Sequence, residues 1–180
     1  MTKQLGFYLE LDRCIGCRSC EIACKQWHGL DPKVAGKTGP RWRRVVTTES
    51  GTFPNVKVTN LSLACMHCAR PPCAAACPTE AITKRAEDGI VIVDREKCIG
   101  CYYCFSACPF GMPQFGEDGI MQKCDFCLDR LEQGQKPVCE LTCTAGAIHT
   151  GTMEELSELA ARKMAQKLVG AIQPSIIISK

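Results

Sequence analysis

The stretch Cys98-Ile99-Gly100-Cys101-Tyr102-Tyr103-Cys104-Phe105-Ser106-Ala107-Cys108-Pro109 decides how this sequence is read. Three cysteines stand two residues apart, and a fourth follows three residues later, just before a proline. The same spacing occurs at Cys14, Cys17, Cys20 and Cys24. Two variants complete the pattern. Cys65, Cys68, Cys73 and Cys77, followed by Pro78, have four residues in the middle gap, and Cys124, Cys127, Cys139 and Cys143 have eleven. Sixteen cysteines in 180 residues therefore fall into four quartets with none left over. Aromatic residues make up only 6% of the sequence, too few for a core built on rings. Something bound to sulfur must supply part of the folding free energy.

A tight triplet of thiolates wraps three irons of one cubane from a single loop, and the first and third quartets repeat the run found in bacterial two-cluster ferredoxins. Gly16 and Gly100 let backbone N–H groups approach the sulfides and stabilise their charge. The fourth cysteine points the other way as a helix begins and ligates the neighbouring cluster. Pro78 and Pro109 suit the opening of that segment, where a missing N–H costs nothing. Zinc ribbons use C-x2-C pairs but no triplet with a displaced fourth ligand. A disulfide framework belongs to small secreted chains. Four [4Fe–4S] clusters account for every cysteine.

Ligand crossing predicts how the quartets pair. The second and third lie closest in sequence, so Cys65, Cys68 and Cys73 share a cluster with Cys108, while Cys98, Cys101 and Cys104 share one with Cys77. The first and fourth pair around the outside. Cys14, Cys17 and Cys20 take Cys143, and Cys124, Cys127 and Cys139 take Cys24. The expected fold is α+β: two nested bacterial-ferredoxin-like 2[4Fe–4S] modules with short antiparallel strands, an inserted β-hairpin and a C-terminal helix. Residues 65–108 form the inner module, 1–24 with 109–151 the outer, split one, 25–64 the insertion, and 152–180 a helix and tail.

Local patterns fill in this outline. Phe7–Leu11 alternates as a strand before the first quartet, and Ala147–Thr150 follows the last, so the two are expected to pair. Ala81–Lys84 and Ile90–Asp94, turned at Glu87-Asp88-Gly89, read as a hairpin. A Gly/Pro-rich loop, Gly36–Pro40, precedes a second hairpin, Arg43–Thr48 with Val56–Leu61, turned at Ser50-Gly51. From Thr152 the spacing of Met153, Leu156, Leu159, Ala160, Met164, Leu168 and Ile172 predicts a helix, with Thr152 and Glu155 as a capping box and Pro174 as the stop.

Four cysteine-ligated cubanes carry about −2 each, which reverses the formal +3 of the protein. No secretory signal and no run of about 18 apolar residues is present, so a membrane address is expected to come from a partner. Saturated cubane irons move electrons and leave no position for substrate, so no catalytic residue is assigned. Nucleotide, flavin and nucleophile motifs are missing. His28, His67 and His149 form no ligand pair, and His67 is placed to tune a cluster by hydrogen bonding. Arg41-Trp42-Arg43-Arg44 reads either as a solvated strand edge or as a docking surface for an acidic partner. Trp27 and Trp42 are expected to pack against clusters or a partner. Nucleic-acid binding is not supported by one short basic run.

At these residues the sequence resembles the four-cluster iron–sulfur subunit of the dimethyl sulfoxide reductase family of molybdopterin oxidoreductases. The resemblance is carried by Gly6-Phe-Tyr, Cys14–Lys25, Cys65–Cys73, Cys98–Cys104, Cys108–Gly111, Lys123–Cys127 and Gly134–Cys139. Nitrate-reductase-like relatives hold Trp where Cys101 stands and a three-iron cluster with it, so this sequence looks like the branch with four cubanes. Thr144 departs from a proline common after the last cysteine. The resemblance implies a large molybdenum or tungsten bis-pterin catalytic subunit, often joined by a membrane subunit that exchanges electrons with quinol. It implies that Cys14, Cys17, Cys20 and Cys143 lie nearest the catalytic subunit and Cys65, Cys68, Cys73 and Cys108 at the far end. It also implies an assembly that is cytoplasmic or exported folded with its partner. The alternatives are a free-standing polyferredoxin shuttle and the electron-transfer subunit of a hydrogenase, formate dehydrogenase or tungsten aldehyde oxidoreductase complex.

Overall fold

The computed structural model describes residues 3–161, 165–167 and 172–179. Along the chain it forms β1 (Leu5–Glu10), α1 (Ser19–Trp27), β2 (Lys33–Val34), β3 (Lys37–Thr38), β4 (Arg43–Ser50) and β5 (Lys57–Ala64). Then come α2 (Pro72–Ala75), β6 (Ile82–Lys84), β7 (Val91–Val93), α3 (Tyr103–Ala107), β8 (Gln114–Phe115) and β9 (Met121–Gln122). The last elements are α4 (Leu128–Leu131), α5 (Val138–Leu141), β10 (Ile148–Thr152), α6 (Met153–Ala161), β11 (Ala165–Lys167) and β12 (Ile176–Ser179). This is a small mixed α/β fold of the ferredoxin-like kind, with short strands and one-turn helices spaced by cysteine loops.

One four-stranded sheet, ordered β10-β1-β12-β11, anchors the molecule. β1 pairs antiparallel with β10, Phe7 facing Thr150 and Leu9 facing Ile148, as the two cysteine-flanking strands predict. On its other edge β1 pairs in parallel with β12, Phe7 against Ile176 and Leu9 against Ile178. Both faces of β1 are covered. Phe7 and Leu9 enter a core shared with Cys20, Cys65, Cys124 and Cys139, while Tyr8 packs with Met153, Leu156, Ala160 and Ile177 under α6. A Cβ at Gly6 would stand 2.4 Å from Met153 Sδ and 2.6 Å from the Ser175 carbonyl oxygen, so only glycine allows β1 this approach.

The two hairpins expected from sequence form as β4–β5 and β6–β7. The Gly/Pro-rich loop holds a third, β2–β3. The C-terminal helix is shorter than its apolar spacing predicts. α6 ends at Ala161, residues 165–167 are the strand β11, and Ile172 lies in a turn; Met164 and Leu168 fall outside the described residues. The β-branched run Ile176–Ile178 becomes a strand beside β1 and presents an open edge, which β11 fills by antiparallel pairing.

Candidate metal centres

Each cysteine loop is shaped by left-handed backbone. In the first, Gly16 has φ +70° and Arg18 +62°, and α1 starts at the next residue. In the third, Gly100 at +66° and Tyr102 at +64° precede α3 in the same way. Phe126 and Cys127 repeat this before α4, and His67 adopts φ +39° between Cys65 and Cys68. Backbone N–H groups reach sulfur from within such a turn and from outside it. Phe126 N donates to Cys124 Sγ at 3.4 Å, Met121 N to Cys98 Sγ at 3.4 Å, and Ala147 N to Cys143 Sγ at 3.3 Å.

The sixteen thiols, all free, gather across the sequence. Cys14, Cys17, Cys20 and Cys143 line one cavity with Leu9, Val45, Asn60 and Ser62. Cys77, Cys98, Cys101 and Cys104 line a second with Ile82, Phe115 and Met121. A third is lined by Cys65, Cys68, Cys73 and Cys108 among Pro71, Pro72 and Met112. The remaining four, Cys24, Cys124, Cys127 and Cys139, are all buried. Cys24 lies in the electrostatic range of Cys139 and Cys127, and Cys124 in that of Cys24.

Burial governs the acidity of these thiols. It pushes Cys24, Cys68 and Cys127 up to about 12, with neighbouring sulfurs adding to it, and Cys73 and Cys104 up to about 11. Buried Cys124 is held well above the ordinary thiol range, for the same reasons. Four thiols packed in low dielectric cannot all be charged unless a cation joins them, and iron ligation therefore drives off their protons. Two cysteines are lowered instead. Cys17 is stabilised as thiolate by Ser19, and at Cys77 hydrogen bonds from Thr79 and the Ala81 and Ile82 backbone outweigh burial.

Two buried donors without a protein partner supply a separate test of fit. His67 is fully buried; its Nδ1 accepts the Val91 N–H at 3.0 Å, which leaves the proton on Nε2, and Nε2 has no hydrogen-bond partner. Burial, then Lys123, Lys84 and Arg43, holds the ring well below the ordinary histidine range, so it is neutral. Arg43 Nη2 is likewise buried and unpartnered. Orphaned N–H groups beside thiol cages fit cofactors that bring sulfide acceptors. His28 Nε2 lies 3.4 Å from Cys127 Sγ and 3.7 Å from Asp125 Oδ1, so this trio belongs to the cysteine site and is not an independent one. His149 serves the sheet through Glu10 at 2.8 Å.

Sequence reasoning missed the interior cations. The run Arg41–Arg44 is not a solvated edge. Arg41 pairs with Glu21 at 3.1 Å, Arg44 donates to the carbonyls of Phe110 and Gly111, and Arg43 is buried at 2% exposure. Strand alternation carried the signal, because Arg43 shares a face with Val45, an apolar residue bound for the core. Lys123 is also buried, donating to the carbonyls of Val91 and Cys124. Trp42 packs on His28 at 4.4 Å and donates to Gln122, whereas Trp27 is half exposed under Arg130.

The sulfurs divide between two core clusters. Cys20, Cys65, Cys124 and Cys139 are in the main one, with Cys68, Cys108 and Cys143 packed against it, and Cys73 and Cys104 are in a second, with Cys77 and Cys98 packed against it. The Cys65 group, implied by resemblance to be the far end, thus lies between the main cluster and the Cys98 loop. That loop exposes Ile99, Tyr102, Tyr103 and Phe105.

Paired cysteine cages on short-stranded hairpins define an iron–sulfur protein of the ferredoxin-like class. Residues 56–153 match the 4Fe-4S dicluster domain family. Over 163 residues the sequence is 43% identical to a chain of the anaerobic dimethyl sulfoxide reductase of Escherichia coli, covering 87% of this protein and 77% of the relative. It is 40% identical to a formate dehydrogenase iron-sulfur subunit of Wolinella succinogenes over 86% of this protein and 84% of that one. It is 39% identical to a sulfite dehydrogenase subunit of Allochromatium vinosum over 80% and 67% respectively. The protein belongs to the iron–sulfur subunits of the dimethyl sulfoxide reductase family. It is a non-catalytic electron-transfer subunit that carries four [4Fe–4S] clusters.

Proposed function

We propose that the protein relays electrons between a large catalytic subunit, holding a molybdenum or tungsten bis-pterin, and a second redox partner that is a membrane quinol subunit or a soluble carrier. Relatives named as a chain of dimethyl sulfoxide reductase and as an iron-sulfur subunit of formate dehydrogenase support a catalytic partner. The assembly is cytoplasmic or is exported folded with that partner. Among the described residues no helix is long and apolar enough to cross a membrane.

The ligand sets in this reading are Cys14, Cys17, Cys20 with Cys143; Cys24 with Cys124, Cys127, Cys139; Cys65, Cys68, Cys73 with Cys108; and Cys77 with Cys98, Cys101, Cys104. One observation carries it: three cavities are each lined by the triplet of one quartet and the last cysteine of another. On these sets residues 65–108 are the inner ferredoxin-like module, 1–24 with 109–151 the outer, 25–64 an insertion and 152–180 an appended segment. A bound cubane supplies one-electron storage with no open coordination position. The protein's own part is to fix the sulfurs, exclude water with Leu9, Val45, Ile82 and Met121, and aim backbone N–H groups at the sulfurs. The Cys14 cage, with Cys17 exposed, faces the catalytic subunit, and the Cys101 cage faces the second partner.

Anaerobically purified protein should contain about 16 iron and about 16 sulfide per chain and elute with a large subunit in fixed stoichiometry. About half the iron would remove one module from this account. A protein that elutes alone, fully loaded, would favour a diffusing shuttle. Cys101→Ser should alter about four irons and leave the other three sites loaded, read by iron content and electron paramagnetic resonance.

A further inference from the structure

Arg43 is a permanent cation with no carboxylate within ion-pair distance among the described residues. It lies wholly inside the protein, its guanidinium 4.6 Å over the Phe7 ring. Nη1 donates to the Ser62 carbonyl at 3.2 Å and to Ser62 Oγ at 3.0 Å. That hydroxyl lies 3.3 Å from Cys20 Sγ, so with its oxygen taken by Arg43 it is free to donate its hydrogen to the sulfur. Val45, beside Arg43 on the same strand face, and Ser62 both line the cavity of Cys14, Cys17, Cys20 and Cys143. Phe7, under the guanidinium, packs in one core cluster with Cys20, Cys124 and Cys139. Two of those three sulfurs belong to the adjacent cage. A lone buried cation is ordinarily expensive, and among the described residues no carboxylate pairs with this one.

We propose that Arg43 is a positioning residue wedged between two centres, those of Cys14/Cys17/Cys20/Cys143 and Cys24/Cys124/Cys127/Cys139, where its fixed charge raises the reduction potential of both relative to the other two. This rests on the ligand sets given under Proposed function. Reduction adds one electron to a centre and makes no bond. A unit positive charge within a low-dielectric interior favours the reduced, more negative form, and its field fades with distance toward the Cys98 loop. Arginine suits the position because it stays protonated and its fork holds Ser62 while the second arm remains free for sulfide.

The test is a redox titration of the whole complex, monitored by electron paramagnetic resonance, with iron and sulfide measured on each sample. Three variants are compared: Arg43→Met, Arg43→Gln and Arg43→Lys. The neutral variants should lower the reduced-to-oxidised ratio of two centres at least tenfold at a fixed potential, about 59 mV for one electron. The other two centres should stay in place, and Arg43→Lys should remain near the wild type. If the neutral variants fail to load, the proposal predicts loss confined to about half of the roughly 16 irons, restored in Arg43→Lys. No shift, an equal shift of all four centres, or failure of Arg43→Lys to restore loading overturns it. A wild type with far fewer than about 16 irons would instead overturn the ligand sets, so the two failures are distinguishable.

Discussion

Gly100 holds φ +66°, and a Cβ built on it would stand 2.7 Å from the Gly119 carbonyl oxygen. An L-residue in that conformation costs about 1–2 kcal/mol before any clash, and the clash is with backbone that cannot swing away. Gly100→Ala should therefore weaken the Cys98–Cys104 loop, with about four irons lost first when the protein is challenged by a chelator. An unchanged rate of iron release would show that the loop tolerates the shift. The reading of Gly100 and of all sixteen cysteines was available in the sequence, because ligand spacing is a local constraint. Arg43 was harder. In a run of four residues with three arginines, charge suggests water, and only the register of the strand with Val45 says otherwise. The unpartnered Nε2 of His67 was hidden for a different reason: the Val91 N–H that fixes its tautomer comes from a strand 24 residues away.

Helix α6 opens on a reciprocal cap. Thr152 Oγ1 accepts the Glu155 N–H at 3.2 Å, and the Glu155 carboxylate accepts the Thr152 N–H at 2.8 Å. Thr152→Ala should lower stability by about 1 kcal/mol, measured by denaturant unfolding of the loaded protein. Ile177→Ala in β12 removes a side chain only 3% exposed, packed with Tyr8 and Leu156. It should cost about 2–5 kcal/mol in the same measurement. A loss below that of the Thr152 change would mean β12 is merely laid against the sheet. The start of α6 was legible because a cap is encoded within four residues. Its end was not. Apolar residues at helical spacing past Ala161 suit a helix in isolation, but the Ile176–Ile178 strand needs an edge partner, and that demand arises only after β12 reaches β1. The hairpins β4–β5 and β6–β7 were legible for the opposite reason, since both strands and their turn lie in one stretch.

Sulfur occupies the centre of this molecule. Cys20, Cys65, Cys124 and Cys139 sit in the main apolar cluster with Phe7, Leu9 and Phe126, and Cys68, Cys108 and Cys143 pack against it. Stripping the iron should therefore do more than empty four cages. With the cavity walls unsupported, near-ultraviolet circular dichroism should collapse and the hydrodynamic radius should grow, because metal affinity is here folding free energy. A compact, native-like apoprotein would contradict this. The grouping of the sulfurs was only half legible. Spacing names the triplet and the last cysteine that line each of three cavities, but nothing in the loop lengths puts Cys65 in one core cluster with Cys124.

β1 precedes the first cysteine loop, and its parallel neighbour β12 follows the last. A nascent polypeptide leaving the ribosome therefore carries the central strand long before the segment that must lie beside it has been translated. Likewise Cys14, Cys17 and Cys20 wait for Cys143 to close their cavity. The cages of Cys65–Cys108 need no such delay. Closure of the sheet and of the first cavity thus waits on the last stretch of translation, whereas the middle of the polypeptide already holds every cysteine that lines its own two cavities.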